Sequence, residues 1–273
     1  MRSPADGAPE PAGGRSSRPR RALLLVVLAA ALGLELWVAQ ADPTHRKAYD
    51  ERFTVRNAAW MLDTGRLWPE NGFHPSLSYL PHLIPLAASE ALYRGTGREA
   101  LRVLERRPLN RITREGKADS LAFTPTGYVL ARGVNCLIGV ASLLLTCLVA
   151  RRVLGEPVGV LAAFLLAAVP WHLRQAAVLK PDIVLVATLM LAVWAALVAV
   201  ERRRLSSYLL AGAAVGLCLS SKFNGAPAAV PLVAGTLLVL RRDRSVALKL
   251  MAAGGDRGGG LPRPQHVAAA RLR

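Results

Sequence analysis

The chain has 273 residues, 52% of them hydrophobic, only 5% aromatic and 19% charged, with a net charge of +17. Such a length suits one or two soluble domains, but the apolar residues stand in long runs and not in the amphipathic period of a soluble fold. The positive charge does not point to nucleic acid, because the arginines cluster at the ends of those runs, the pattern of topology signals and phospholipid contact.

Residues 1–21 are rich in Pro, Gly, Ser and Arg and read as a disordered tail. The tail closes with Arg18, Arg20 and Arg21, directly before the apolar run Ala22–Trp37, which is nearly free of charge. A first span near 22–40 with a cytoplasmic N-terminus follows. Ala39-Gln40-Ala41 resembles a leader cleavage site and keeps a signal peptide open as an alternative. On either reading the segment after residue 41 lies outside.

Pro75–Tyr93 is moderately apolar but carries Pro75, Pro81, His82, Pro85 and Glu90. If it crossed the bilayer, the clusters Arg151–Arg152, Arg202–Arg204 and Arg241–Arg242–Arg244 would all fall outside. If it lies along the membrane surface, all three fall inside, and the rule that basic residues stay in the cytoplasm selects this arrangement. The basic stretch from Arg94 to Lys117 is then outside, in a long loop where that rule is weak.

The fold class expected is therefore all-α: a polytopic transmembrane helical bundle of about six spans. An extracytoplasmic loop, 41–127, bears short juxtamembrane helices after the first span. The further spans lie near 128–150, 157–172, 183–200, 207–220 and 226–240, because backbone groups in lipid must be satisfied within each segment. The domain division is a tail over 1–21, a transmembrane unit over 22–245 and an aberrant tail over 246–273. After Ala253 the text turns abruptly to Gly, Pro and Arg, with no apolar period. A frameshift or truncation near residue 253 is the expectation. Cys136, Cys147 and Cys218 sit inside apolar runs without CxxC spacing and read as small buried hydrophobes, neither disulfide nor metal ligands.

On this topology the unusual polar residues gather on the outer side. Asp50 and Glu51 lie in the first loop, His74 precedes Pro75, and Arg132 stands at the outer end of the second span. Asp182 opens the fourth span, and Lys222 occupies the turn between the fifth and sixth. Charges near hydrocarbon are costly and usually line a cavity or pair with one another. Each residue also has a plainer reading. Asp50 and Glu51 suit a solvated loop, Asp182 a helix N-terminus, Arg132 and Lys222 a snorkelling cation, and His74 a turn.

The segments Tyr49-Asp50-Glu51, Phe73-His74-Pro75-Ser76-Leu77-Ser78-Tyr79-Leu80, Tyr128-Val129-Leu130-Ala131-Arg132, Leu179-Lys180-Pro181-Asp182 and Ser220-Ser221-Lys222-Phe223-Asn224-Gly225 occur in an order that resembles one family. It is the GT-C membrane glycosyltransferases of the protein O-mannosyltransferase type (glycosyltransferase family 39), with their bacterial relatives that decorate lipid A or the cell envelope. The resemblance covers about 22–245. Ser76 departs from the family's second proline and Phe223 from its usual tryptophan, and family members are longer, with further spans.

The resemblance implies transfer of a sugar from a polyprenyl-phosphate donor to an acceptor on the extracytoplasmic face, with inversion at the anomeric carbon. It implies Asp50 as general base, Glu51 as its support or an acceptor-orienting group, and Arg132 and Lys222 as cations for the departing phosphate. His74 and Asp182 would organise the donor or the loop. No cofactor is certain. Some relatives use a divalent metal, but the sequence offers no evident ligand set. The expected partners are the lipid-linked donor, membrane lipids and an acceptor of unspecified class, with no nucleic acid, and the expected location is a bacterial plasma membrane. A non-catalytic membrane protein, a transporter subunit or an inactive fragment stands as the alternative.

Overall fold

The computed structural model describes residues 17–41, 49–70, 74–96 and 125–242. All regular structure among them is helical. In chain order the helices are α1 (Ser17–Ala41), α2 (Tyr49–Thr64), α3 (Leu80–Thr96), α4 (Pro125–Leu154), α5 (Glu156–Ala167), α6 (Pro170–Ala176), α7 (Pro181–Arg202), α8 (Leu205–Ser221) and α9 (Ala229–Arg242). Short 3-10 turns at Ser76–Ser78 and Phe223–Ala228 precede α3 and α9. Helix α1 starts at Ser17, inside the stretch expected as tail, because arginines are good helix formers and Pro19 falls within the first turn, where its missing N–H costs nothing. The tails 1–16 and 243–273 and most of the Arg94–Lys117 stretch lie outside the described residues.

Among the described residues four segments are long and apolar enough to cross a bilayer: Arg18–Gln40, Gly127–Leu154, Pro181–Arg202 and Phe223–Arg241. The pair α5 and α6 would make a fifth, but it is bent by 73°. Helix α8, at 17 residues, is the shorter apolar helix. Its length of about 26 Å is slightly less than a hydrocarbon core of roughly 30 Å. The molecule is an integral membrane protein built as a helical bundle.

The span expected near 157–172 is thus broken in two. Val169 precedes Pro170 and adopts an extended conformation (φ −74°, ψ 115°). The proline ring crowds the residue before it out of the helical region, so the helix must stop there and restart.

The bundle has two chemically different ends. At one, Arg20 on α1 pairs with Glu156 at the start of α5 (3.6 Å), and Arg152 near the end of α4 pairs with Glu201 near the end of α7 (2.8 Å). Arg202, Arg203 and Arg204 stand in the same connection. At the other end, the C-terminus of α1, helix α2, the start of α4, the α6–α7 connection and the end of α8 come together. Buried there is an apolar cluster that includes Val55, Met61, Tyr79, Leu86, Tyr128 and Leu179. It joins α2, α3 and α4 to the α6–α7 connection and makes the juxtamembrane helices part of the packed bundle.

Candidate functional site

The α6–α7 connection is the structural axis of this second end. Glu51, in the first turn of α2, receives two hydrogen bonds from Arg132 on α4, Nε to Oε1 at 2.8 Å and Nη2 to Oε2 at 2.7 Å. Arg132 Nη1 also donates to the Ala39 carbonyl at the end of α1, at 2.8 Å. The backbone N–H of Leu179 donates to Glu51 Oε1 at 3.0 Å, and Thr54 Oγ1 donates to the Leu179 carbonyl at 3.1 Å. Asn135 Nδ2 donates to the Val178 carbonyl at 2.5 Å. Side chains of α2 and α4 therefore grip the connection between Val178 and Leu179. The Glu51 and Arg132 side chains are 2% and 6% exposed, so the bidentate pair is desolvated and fully engaged.

Three residues further on, Asp182 lies in the first turn of α7, with Pro181 in the opening helical position that suits a residue lacking N–H. Lys222 Nζ, at the end of α8, donates to Asp182 Oδ1 at 2.6 Å. This pair is partly exposed. The helix-start acid thus also meets a cation from another helix. Beyond Lys222 the chain makes a 3-10 turn packed tightly on α8. A side chain at Gly225 would run into the Cys218 carbonyl, so this position needs glycine.

The His74 segment reaches the same place. Its 3-10 turn ends at Ser78, whose buried hydroxyl donates to the Ser221 carbonyl, one residue before Lys222. Ser221 Oγ in turn lies 3.3 Å from Thr188 Oγ1 on α7. His74 itself is half-buried just ahead of that turn. Two buried groups follow it. Burial pushes the Tyr79 hydroxyl up to about 12 and holds the His82 imidazole down near 4, because both charged forms lose their solvation.

All five segments singled out in the sequence meet at this end of the bundle. Glu51 joins Arg132, Asp182 joins Lys222, and the Leu179–Asp182 stretch links the two pairs. Asp50 belongs to the first turn of α2, next to Glu51, and its side chain lies outside the described residues. Among the described residues no three His, Cys, Asp or Glu side chains gather in a form that would hold a metal ion. Cys136, Cys147 and Cys218 are free and buried.

Sequence reasoning passed over several participants. Thr54, Asn135 and Ser78 act through backbone carbonyls far away in the chain, which no local pattern reveals. Glu35 and His172 face each other at 3.7 Å inside the bundle, 1% and 5% exposed. The signal for Glu35 was present, as a lone carboxylate in the first apolar run.

Residues 126–255, somewhat less than half of the chain, match the family model described as dolichyl-phosphate-mannose-protein mannosyltransferase. The match spans helices α4 to α9 and includes Arg132, Asp182 and Lys222. Neither the curated proteins nor the solved structures yield a match to the chain. The family match, falling on a bundle of apolar helices, supports a membrane glycosyltransferase of the GT-C class.

Proposed function

We propose that the chain carries part of the site of a glycosyltransferase that moves a sugar from a polyprenyl-phosphate donor to an acceptor on the extracytoplasmic side, at the Glu51 end of the bundle. The observation that carries this reading is the convergence of the five segments on one end, opposite the arginines. With the basic end inside, the Glu51 end faces outward. The isoprenoid chain of the donor stays in the bilayer while its phosphate reaches the rim of the bundle.

The roles divide by burial. Glu51 and Arg132 saturate one another, so both are positioning residues that seat the connection before α7. Lys222 is more accessible, and its ammonium suits the phosphate that departs as the C1–O bond of the donor breaks. Fixed cations stabilise charge that grows in the transition state. Asp182 orients Lys222. Asp50 is the general base: it takes the proton of the acceptor hydroxyl as that oxygen bonds to C1, and the bonding electrons leave with the lipid phosphate. One displacement of this kind inverts the anomeric centre. His74, beside the turn that docks on Ser221, lines the approach for the acceptor.

Transfer of radiolabelled sugar from a polyprenyl-phosphate donor in membranes tests the reading. Asp50→Asn is expected to abolish transfer while membrane insertion stays normal, and unchanged turnover removes Asp50 from the base role. Lys222→Ala is expected to raise the KM for donor more than that for acceptor, and equal changes would make Lys222 structural. The broken helix α5–α6 favours a second reading, since broken helices mark binding sites in transporters. A non-catalytic binding subunit would retain donor without ever releasing transferred sugar.

A further inference from the structure

Glu35 and His172 lie where ionisable groups are costly. Glu35 is on α1, little more than one turn below Ala39, and His172 is on the seven-residue helix α6 beyond the bend. His172 Nε2 stands 3.7 Å from Glu35 Oε1, and both side chains are almost wholly enclosed. Among the described residues neither Glu35 Oε2 nor His172 Nε2 finds a hydrogen-bond partner. The carboxylate fits against α4 because residue 139 is glycine. A Cβ there would come within 2.9 and 3.0 Å of the two Glu35 oxygens and 2.7 Å of the Ala176 Cβ.

Few other groups among the described residues surround the pair. Helix α4 brings Cys136, whose thiol contacts the Ala176 carbonyl at 3.7 Å, and, one turn further, Arg132, which Glu51 already neutralises. Helix α6 adds the buried amide of Gln175, and α7 packs the apolar Ile183 and Val184 against Ala176. The sole acid of α5, Glu156, is at the far end with Arg20. A carboxyl and an imidazole so enclosed are jointly neutral when they hold one proton between them, whichever atom carries it. Losing that proton would leave an uncompensated carboxylate, and gaining a second an uncompensated imidazolium.

We propose that Glu35 and His172 are positioning residues: they share one proton inside the bundle and pin α6 to α1, which fixes the 177–182 connection for transfer. The proposal rests on the glycosyl-transfer reading of the Glu51 end. A seven-residue helix has little stability of its own, so α6 must be held by tertiary contacts. Ala177, Val178, Leu179 and Asp182 follow it directly and meet Ala39 and Cys136, Asn135, Glu51 and Thr54, and Lys222 respectively. A displacement of α6 therefore moves the Val178 and Leu179 backbone groups that Asn135, Thr54 and Glu51 grip. Misplacements of about 1 Å far from the chemistry reduce rates by roughly a hundredfold.

The test uses the full chain in detergent or lipid discs, with melting followed by tryptophan fluorescence from pH 5 to pH 9. Wild type, Glu35→Gln, His172→Gln and the double variant are compared. Each single change is expected to lower Tm by about 5 °C or more and to flatten its pH dependence, and the double variant is expected to melt no lower than the worse single. Additive losses with an unchanged pH dependence overturn the proposal. If Glu35→Gln does not accumulate, the pH dependence of His172→Gln decides alone, since a curve parallel to wild type excludes a shared proton. In the transfer assay Glu35→Gln is expected to lower kcat by roughly tenfold or more and shift its pH profile, with the donor KM nearly unchanged. A profile that overlays wild type removes the positioning role. If wild type itself transfers no sugar, the glycosyl-transfer reading fails, while the melting cycle still decides the pair.

Discussion

The two ends of this bundle use the same kind of ion pair in opposite settings. At the arginine end, Arg152 and Glu201 have side chains 30% and 49% exposed. At the other end, Glu51 and Arg132 are enclosed and joined by two hydrogen bonds at 2.7 and 2.8 Å. Exposed pairs are screened by water and salt and contribute little, and positive charge there serves orientation in the membrane. A buried pair gains little over an apolar replacement, yet losing one partner strands a charge. The buried pair is thus a constraint on geometry. It makes the α6–α7 connection single-valued, and Asp182 and Lys222 inherit their position from it.

The sharpest way to break this contrast is to remove one member of the buried pair. Arg132→Ala or Glu51→Ala is expected to destabilise the folded chain by about 3–5 kcal/mol, read as a collapse of the melting transition in detergent. A loss below about 1 kcal/mol would mean that both ends obey the same rules. Gly225→Ala should cost about 1–3 kcal/mol through overpacking, because the added methyl meets the Cys218 carbonyl. It should also disturb Lys222 three residues earlier, visible as weaker donor use.

A milder effect comes from His82, on α3. Its imidazole is held near 4 in the folded chain, against an ordinary value of 6.5. Between these values the unfolded chain binds the extra proton and the folded chain does not. The stability from a neutral His82 is therefore complete above about pH 6.5 and is lost as pH falls towards 4. Tm measured from pH 7 to pH 4 should decline less steeply in His82→Gln, and parallel curves would exclude the effect. The smallest change is expected at the arginine end, where Arg152→Ala should cost about 0–1 kcal/mol and less at high salt. A large loss in that melting curve would erase the distinction between the ends.

Much of this architecture was legible in the chain. Apolar runs located the helices because lipid forces each segment to satisfy its own backbone, and the arginine clusters separated the ends. The break at Val169 was also legible, since Pro170 stood in plain view, but apolar continuity outweighed it. Glu35 was passed over for the same reason, as one acid in a long run. The pairing of Glu51 with Arg132 lay beyond sequence, for these residues are 81 positions apart and nothing local distinguishes a paired arginine from a snorkelling one. The grip on Val178 and Leu179 was less accessible still, because its acceptors and donor are backbone groups.

Single-cysteine labelling from the two sides of the membrane tests the central claim most directly. On a background lacking Cys136, Cys147 and Cys218, cysteines are placed at Asn224 beside Lys222, at Trp68 beyond α2, and at Arg203 and Arg151 at the arginine end. In intact cells a membrane-impermeant maleimide is expected to label positions 224 and 68, and to reach 203 and 151 only after permeabilisation. Labelling of 224 and 68 from opposite sides, or of 224 and 203 from the same side, would contradict a single outward-facing site.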